Sequence, residues 1–318
     1  MVSNKGHRYF ITGGAGFIGS HLTDRLVKEG EVTIYDNLSS GSLESISHNL
    51  HQRKFKFIQA DLLDFSTLRQ AIAGHDIVFH LAANPDVRAG IEATDLDLKT
   101  GIIASYNVLE AMRLNRIRKI VFTSSSTVYG DAGITPVSEG YGPLFPISLY
   151  GASKLGSEGL ISAFCHLFNM QGWIFRLANV VGSRLTHGVI LDFANKLKQN
   201  PKQLEILGDG NQQKPYLHVD DCIDGMLFGL EHSKQVLNVF NLGSSTSTSV
   251  VTIANIVVKA MGLQGVEFQY TGGSRGWPGD VPQVRLDMTK INRLGWEPRY
   301  TSDKAVHQAV REISGNSQ

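Results

Sequence analysis

A short apolar run, Tyr9-Phe10-Ile11, leads at once into Thr12-Gly13-Gly14-Ala15-Gly16-Phe17-Ile18-Gly19 and then into a helical pattern carried by Leu22, Leu26 and Val27. Strand, glycine turn and helix in that order restrict the chain to folds whose backbone doubles back sharply at a strand end. Gly13, Gly16 and Gly19 let the backbone turn and come close to a ligand. Phe17 and Ile18 open a helix whose first N–H groups have no partner within it, so negative charge is favoured there. A second β-rich run, Val32-Thr33-Ile34-Tyr35-Asp36, ends in an acid at the separation expected for one that bonds an adenosine ribose. Together these residues predict a dinucleotide with its pyrophosphate on the first helix.

The same alternation continues. Short β-rich runs at 8–12, 32–36, 55–60, 77–81, 118–124 and 172–177 are separated by helical patterns. That order predicts an α/β fold of Rossmann type, a doubly wound parallel sheet covered on both faces, with a smaller C-terminal α/β lobe for substrate. The division expected is a dinucleotide-binding domain over 1–178, with returning segments at about 215–243, and a substrate lobe over 179–318. Ligands of such sheets sit beyond the C-terminal strand ends, so the residues following each run are the site candidates.

Composition removes other classes. The chain has 318 residues and a formal net charge of +1, with no basic stripe for nucleic acid and no long apolar span for a membrane. The start, Met1 to Arg8, lacks a signal-type apolar region, and Cys165 and Cys222 have no Cys-x-x-Cys spacing. A cytoplasmic protein with two reduced core cysteines is expected. The eleven histidines are scattered, so no metal site is expected.

Chemistry enters with Tyr150-Gly151-Ala152-Ser153-Lys154, at the start of a helical pattern through Leu155, Leu160, Ile161 and Phe164. Spacing of i, i+4 puts Tyr150 and Lys154 on one face, one turn apart. A phenol near pH 10 is a poor base at neutral pH, but an adjacent ammonium favours the phenolate. Upstream, Thr123-Ser124-Ser125-Ser126-Thr127 ends a strand with five hydroxyls, any of which could share a proton with Tyr150.

With these elements the chain resembles the extended short-chain dehydrogenase/reductase family over nearly its full length. Within that family it is similar to the nucleotide-sugar 4-epimerases, most of all those acting on UDP-glucose in archaea and bacteria. Further matches are Asp36-Asn37-Leu38-Ser39-Ser40-Gly41, Asp61-Leu62, His80-Leu81-Ala82-Ala83, Asn179-Val180-Val181-Gly182, Leu207-Gly208-Asp209-Gly210 and Gly279-Asp280. The resemblance implies NAD as cofactor, with Asp36 on the adenosine ribose and Asn37, Ser39, Ser40 and Gly41 around it. It implies Asp61 and Leu62 at the adenine, Leu81, Ala82 and Ala83 along the ribose and diphosphate, and Thr123 and Ala178 as further cofactor-binding residues. Tyr150 is then the base, Lys154 lowers its pKa and holds the nicotinamide ribose, and Ser125 shuttles the proton. For a UDP-sugar substrate it implies Asn84, Ser125, Ser126, Asn179, Val189, Ile190, Glu205, Leu207, Lys214, Arg275 and Asp280.

Departures from the family pattern are informative. Lys214 stands where most relatives have arginine, Gly276-Trp277 lengthens the spacing between Arg275 and Asp280, and Thr100-Gly101 replaces an asparagine. Trp277 is read either as a cap on the sugar pocket or as packing under a loop. Dehydratases carry Asp-Glu after the strand-end hydroxyl and UDP-glucuronate decarboxylases a glutamate; here Ser126 and Thr127 stand there. C4 epimerisation of UDP-glucose through a 4-keto intermediate is therefore expected, with UDP-glucuronate or UDP-N-acetylglucosamine as the other substrates to consider. An NAD-sensing protein without activity is disfavoured by the intact Tyr150 and Lys154. An NADP-linked reductase is disfavoured because no base lies near Asn37. The resemblance also implies a homodimer formed through helices near 97–115 and 150–170, with Ala104, Val108, Ala111, Met112, Leu160, Phe164 and Leu167 as apolar candidates, residues that core packing within one subunit explains almost equally well.

Overall fold

A computed structural model describes residues 6–133, 135–277 and 279–315. The reading of the N-terminal start falls largely on residues 1–5, outside the described residues. Two compact units are present. One holds the chain up to Ser124 with Leu149–Phe175 and Met226–Phe240, and the other holds Ser125–Ser148, Arg176–Gly225 and the chain from Asn241 on.

The first unit is built on the expected alternation: β1 (Arg8–Thr12), α1 (Phe17–Leu26), β2 (Glu31–Asp36), β3 (Phe55–Gln59), α2 (Phe65–Ala71), β4 (Ile77–His80), α3 (Ala104–Leu114), β5 (Lys119–Ser125), α4 (Leu149–Leu167) and β6 (Gln171–Leu177). The seven-stranded sheet has the order Leu237–Leu242, β6, β5, β4, β1, β2, β3. Its central strands read as nearly unbroken apolar runs because both faces are covered. Phe10, Phe79 and Phe122 are at most 1% exposed, each stabilising by roughly 1.5–3 kcal/mol. The order reverses between β1 and β4, the place where such sheets open a crevice. Thr12 pairs with Tyr35 on one side and His80 on the other, so Gly13, Asp36 and Leu81 emerge side by side at one sheet end.

The second unit has short strand pairs, Asn179–Val181 with Tyr216–His218, Gln203–Ile206 with Glu267–Tyr270, and Gln213–Lys214 with Thr248–Ser249. Helices Val189–Gln199, Val250–Ala260 and Ser302–Ile313 close a core around Ile190, Phe193, Leu204, Ile253, Val257 and Val306.

Two expectations need correction. Of the returning segments, Leu237–Leu242 joins the large sheet as its edge strand, but Tyr216–His218 does not; it pairs with Asn179–Val181. The α3 residues named for subunit pairing, Ala104, Val108, Ala111 and Met112, are at most 2% exposed and lie in the core of their own unit. The apolar side chains these helices do expose are Tyr106 and Leu114 on α3 and Leu149 and Leu167 at the two ends of α4. Cys165 and Cys222 are both buried, and burial raises both thiols above their ordinary pKa. Among the described residues no helix is long and apolar enough to cross a membrane.

Candidate active site

The glycine turn of the first unit is tight for a steric reason. Gly13 has φ +69°, and a Cβ there would lie 2.6 Å from the Ala82 amide nitrogen. A Cβ on Gly19 would strike the Gly13 carbonyl oxygen, so α1 starts flush against the turn. Gly16 caps α1 without a side-chain hydrogen bond, and no acid follows in the turn that contains Phe17 and Ile18. No side chain of that turn therefore competes with an anion at the positive end of the helix.

Asp36 ends β2 and is 8% exposed. Its Oδ2 accepts from the Ala15 amide at 2.9 Å and its Oδ1 from the Leu38 amide at 2.8 Å. Burial pushes its carboxyl up and the two N–H bonds pull it back. The following segment folds onto the glycine turn, with the Ser42 amide 3.0 Å from the Ala15 carbonyl. Asn37 accepts from the Ser39 amide and donates to Asp61 Oδ2, both at 3.0 Å, while Ser40 is exposed and Gly41 half-buried. The Leu62 side chain packs into the core and its carbonyl accepts from Asn107. Leu81, Ala82 and Ala83 are half-buried beside the turn; the Leu81 amide bonds the Thr12 carbonyl at 3.1 Å. Close backbone, an open helix end and a fixed acid with no cation between Asn37 and Gly41 fit a dinucleotide lacking a 2′-phosphate.

Tyr150 and Lys154 lie in the first turns of α4. Lys154 is 4% exposed, donates from Nζ to the Thr123 carbonyl at 2.7 Å, and sits 4.8 Å from the Phe122 ring centroid and 5.6 Å from that of Tyr150. Burial brings the ammonium down to about 8, while Asp97 and Glu158 oppose the fall. Glu158, which accepts from the Ser124 hydroxyl at 2.6 Å, was not among the expected residues. Its signal was the spacing itself, since it falls one further turn along the face of Tyr150 and Lys154. The missing asparagine at position 101 has a steric reason. A Cβ on Gly101 would lie 2.7 Å from Ser153 Oγ, because the π-helical turn Leu98–Ile103 packs directly on α4.

His80 joins the two halves of this unit. Its Nδ1 is 2.7 Å from Thr12 Oγ1 and its Nε2 is 2.9 Å from Ser105 Oγ, which donates onward to Ser157 at 2.9 Å. Burial, helped by the Lys154 charge, pushes the imidazole from its ordinary 6.5 down to about 3. The folded ring is neutral where the unfolded one gains a proton, so its contribution is full above pH 6.5 and is lost as pH falls towards 3. Between pH 7 and pH 5 this amounts to about 2 kcal/mol. Urea unfolding at the two pH values should show that drop in the native protein and a smaller one in His80→Gln; equal drops would contradict the assignment.

In the second unit, Ser125 Oγ accepts from the Thr127 amide at 3.2 Å and the Thr127 hydroxyl at 2.9 Å, and Ser126 is 9% exposed. Ala178 is buried, its amide 2.8 Å from the Leu242 carbonyl. Asn179 is exposed and its side chain bonds the Tyr216 phenol, which burial pushes up to about 12. Lys214, Arg275 and Asp280 come together. Lys214 Nζ is 2.5 Å from Asp280 Oδ1, and Arg275 donates to the Asp280 carbonyl at 2.7 Å and to Asp131 Oδ2 at 2.6 Å. The extra residues are absorbed in a turn, the Asp280 amide bonding the Trp277 carbonyl at 3.0 Å with the Trp277 ring against Gly279. Leu207 is half-buried, its Cβ near Gly276. Val189 and Ile190 open the helix Val189–Gln199, the first half-buried and the second with its side chain in the core, and Glu205 is turned to Lys196 at 3.2 Å.

Known proteins resemble this chain over nearly its whole length. The model of the NAD dependent epimerase/dehydratase family matches residues 9–243. A curated relative from Methanocaldococcus jannaschii, named putative UDP-glucose 4-epimerase, is 34% identical over 96% of this chain and 98% of its own. A crystal structure of a UDP-galactose 4-epimerase is 39% identical with a TM-score of 0.86, over 98% of this chain and 100% of that one. The UDP-glucuronic acid 4-epimerase of Bacillus cereus, solved with UDP-glucuronic acid and NAD, has a TM-score of 0.88 at 27% identity over 98% and 100% of the two chains.

Proposed function

The chain belongs to the NAD dependent epimerase/dehydratase family, and on that premise we propose that it inverts C4 of a UDP-hexose, interconverting UDP-glucose and UDP-galactose through a 4-keto intermediate. The observation that carries this reading is the hydroxyl-only strand end. Elimination or decarboxylation needs a carboxylic acid beside Ser125, and the residues there are Ser126 and Thr127. Epimerisation needs only a base that takes and returns one proton, which Tyr150 and Lys154 provide.

When bound, NAD supplies the acceptor and then the donor of a hydride at sugar C4. Gly13, Gly16 and Gly19 hold its phosphates against α1, and Asp36 holds the adenosine ribose. Tyr150 removes the proton from the 4-hydroxyl, the Lys154 ammonium favours the phenolate that does so, and the Ser125 hydroxyl passes the proton between sugar and Tyr150. Asn179, Lys214, Arg275 and Asp280 bind the UDP moiety. A neutral hexose is favoured over a glucuronate because the relatives named for UDP-glucose and UDP-galactose are 34% and 39% identical to this chain, and the UDP-glucuronic acid 4-epimerase 27%.

Incubation with UDP-glucose, UDP-N-acetylglucosamine and UDP-glucuronate, followed by separation of the products, tests the proposal. UDP-galactose should form fastest. Absence of a 4-epimer from all three would sink it.

A further inference from the structure

Asp97, immediately before the π-helical turn Leu98–Ile103, is 2% exposed. Its Oδ1 accepts from Asn84 Nδ2 at 3.3 Å, and its Oδ2 has no hydrogen-bond partner. The room around Oδ2 exists because residue 90 is glycine. A Cβ there would lie 2.9 Å from Oδ2 and 3.3 Å from the Leu149 Cβ. The carboxylate is thus wedged between the Gly90 turn and the start of α4, one residue before Tyr150.

A buried carboxylate with an unsatisfied oxygen is costly unless opposite charge lies nearby. The π-helical turn that follows Asp97 packs on α4, its Gly101 against Ser153 next to Lys154, so Lys154 is the cation on this side of the carboxylate, and each group favours the ionised form of the other. The other acid acting on Lys154 is Glu158, whose Oε1 is already engaged by the Ser124 hydroxyl. Asp97 has an oxygen in reserve.

We propose that Asp97 is a positioning residue for the reacting pair, its carboxylate being the buried counter-charge that keeps Lys154 an ammonium against the Thr123 carbonyl. The charged and titratable groups around Lys154 are Asp97, Glu158 and Tyr150, with a neutral His80 from β4; those around Asp97 are Lys154 and Asp86. Burial already brings the Lys154 ammonium down to about 8 with both acids in place. Loss of Asp97 would leave a neutral amine over much of the neutral range, and a neutral amine does not favour the Tyr150 phenolate.

The proposal rests on Tyr150 and Lys154 being the reacting pair, and its test is separable from the test of that reading. The protein is labelled with ε-13C lysine and titrated without substrate, the Lys154 resonance being identified by its loss in Lys154→Met. In Asp97→Asn the Lys154 midpoint should fall by about one unit or more, and the alkaline limb of kcat should fall with it. Asp97→Glu keeps the charge and should restore the limb towards the native position. Where the amide variant does not fold, Asp97→Ser gives the same reading. A Lys154 midpoint that stays at the native value in the uncharged variant overturns the proposal, even if kcat drops, because lost packing alone would lower turnover without moving the titration.

Discussion

Tyr150→Phe is expected to lower kcat about a thousand-fold, within the range attributed to a positioned proton acceptor, while the purified protein still carries NAD. The substitution removes one oxygen from a half-buried ring and leaves the glycine turn, Asp36 and the Lys154 bond to the Thr123 carbonyl in place. Binding and chemistry should therefore separate. Cofactor content measured after denaturation should match the native protein, and product formation should fall by orders of magnitude. A variant within about tenfold of native turnover would remove Tyr150 from proton transfer.

Asp36→Ala should weaken NAD by roughly ten- to a hundred-fold, the cost of losing charge-assisted hydrogen bonds to a ribose diol. NADP should lose much less, because the same carboxylate that attracts the diol repels a 2′-phosphate. The geometry suits Asp36 to that proposed role. Its two oxygens are fixed by the Ala15 and Leu38 amides, so the side chain cannot swing away from a phosphate without breaking both bonds. Titration of protein stripped of cofactor with NAD and NADP measures the ratio. An unchanged ratio in Asp36→Ala, or tighter NADP binding by the native protein, would contradict this role.

What was legible in the amino-acid sequence was local. The β1, glycine-turn and α1 succession, the acid ending β2 and the Tyr150 and Lys154 pair each depend on spacings of a few residues, and the structure places them as the spacing implied. Contacts between distant segments were not legible. Asp97, proposed above as the counter-charge of Lys154, precedes it by several elements, and nothing in its sequence surroundings marks it. Ala104, Val108, Ala111 and Met112 show the limit on apolar patterns, since a helix that covers a sheet has the same periodicity whether its apolar face meets core or another subunit. Ile190 and Leu62 are motif positions whose side chains serve the core. Arg275 is the opposite case. The lengthened spacing to Asp280 cast doubt on their meeting, and a turn closed by the Asp280 amide on the Trp277 carbonyl restores it.

The central claim is that one hydrogen leaves sugar C4 and returns to the other face of the same carbon. Incubating the protein with UDP-glucose deuterated at C4, in ordinary water, tests this most directly. The account predicts UDP-galactose with the deuterium still at C4. UDP-galactose carrying a solvent hydrogen at C4, or no UDP-galactose at all, would contradict it.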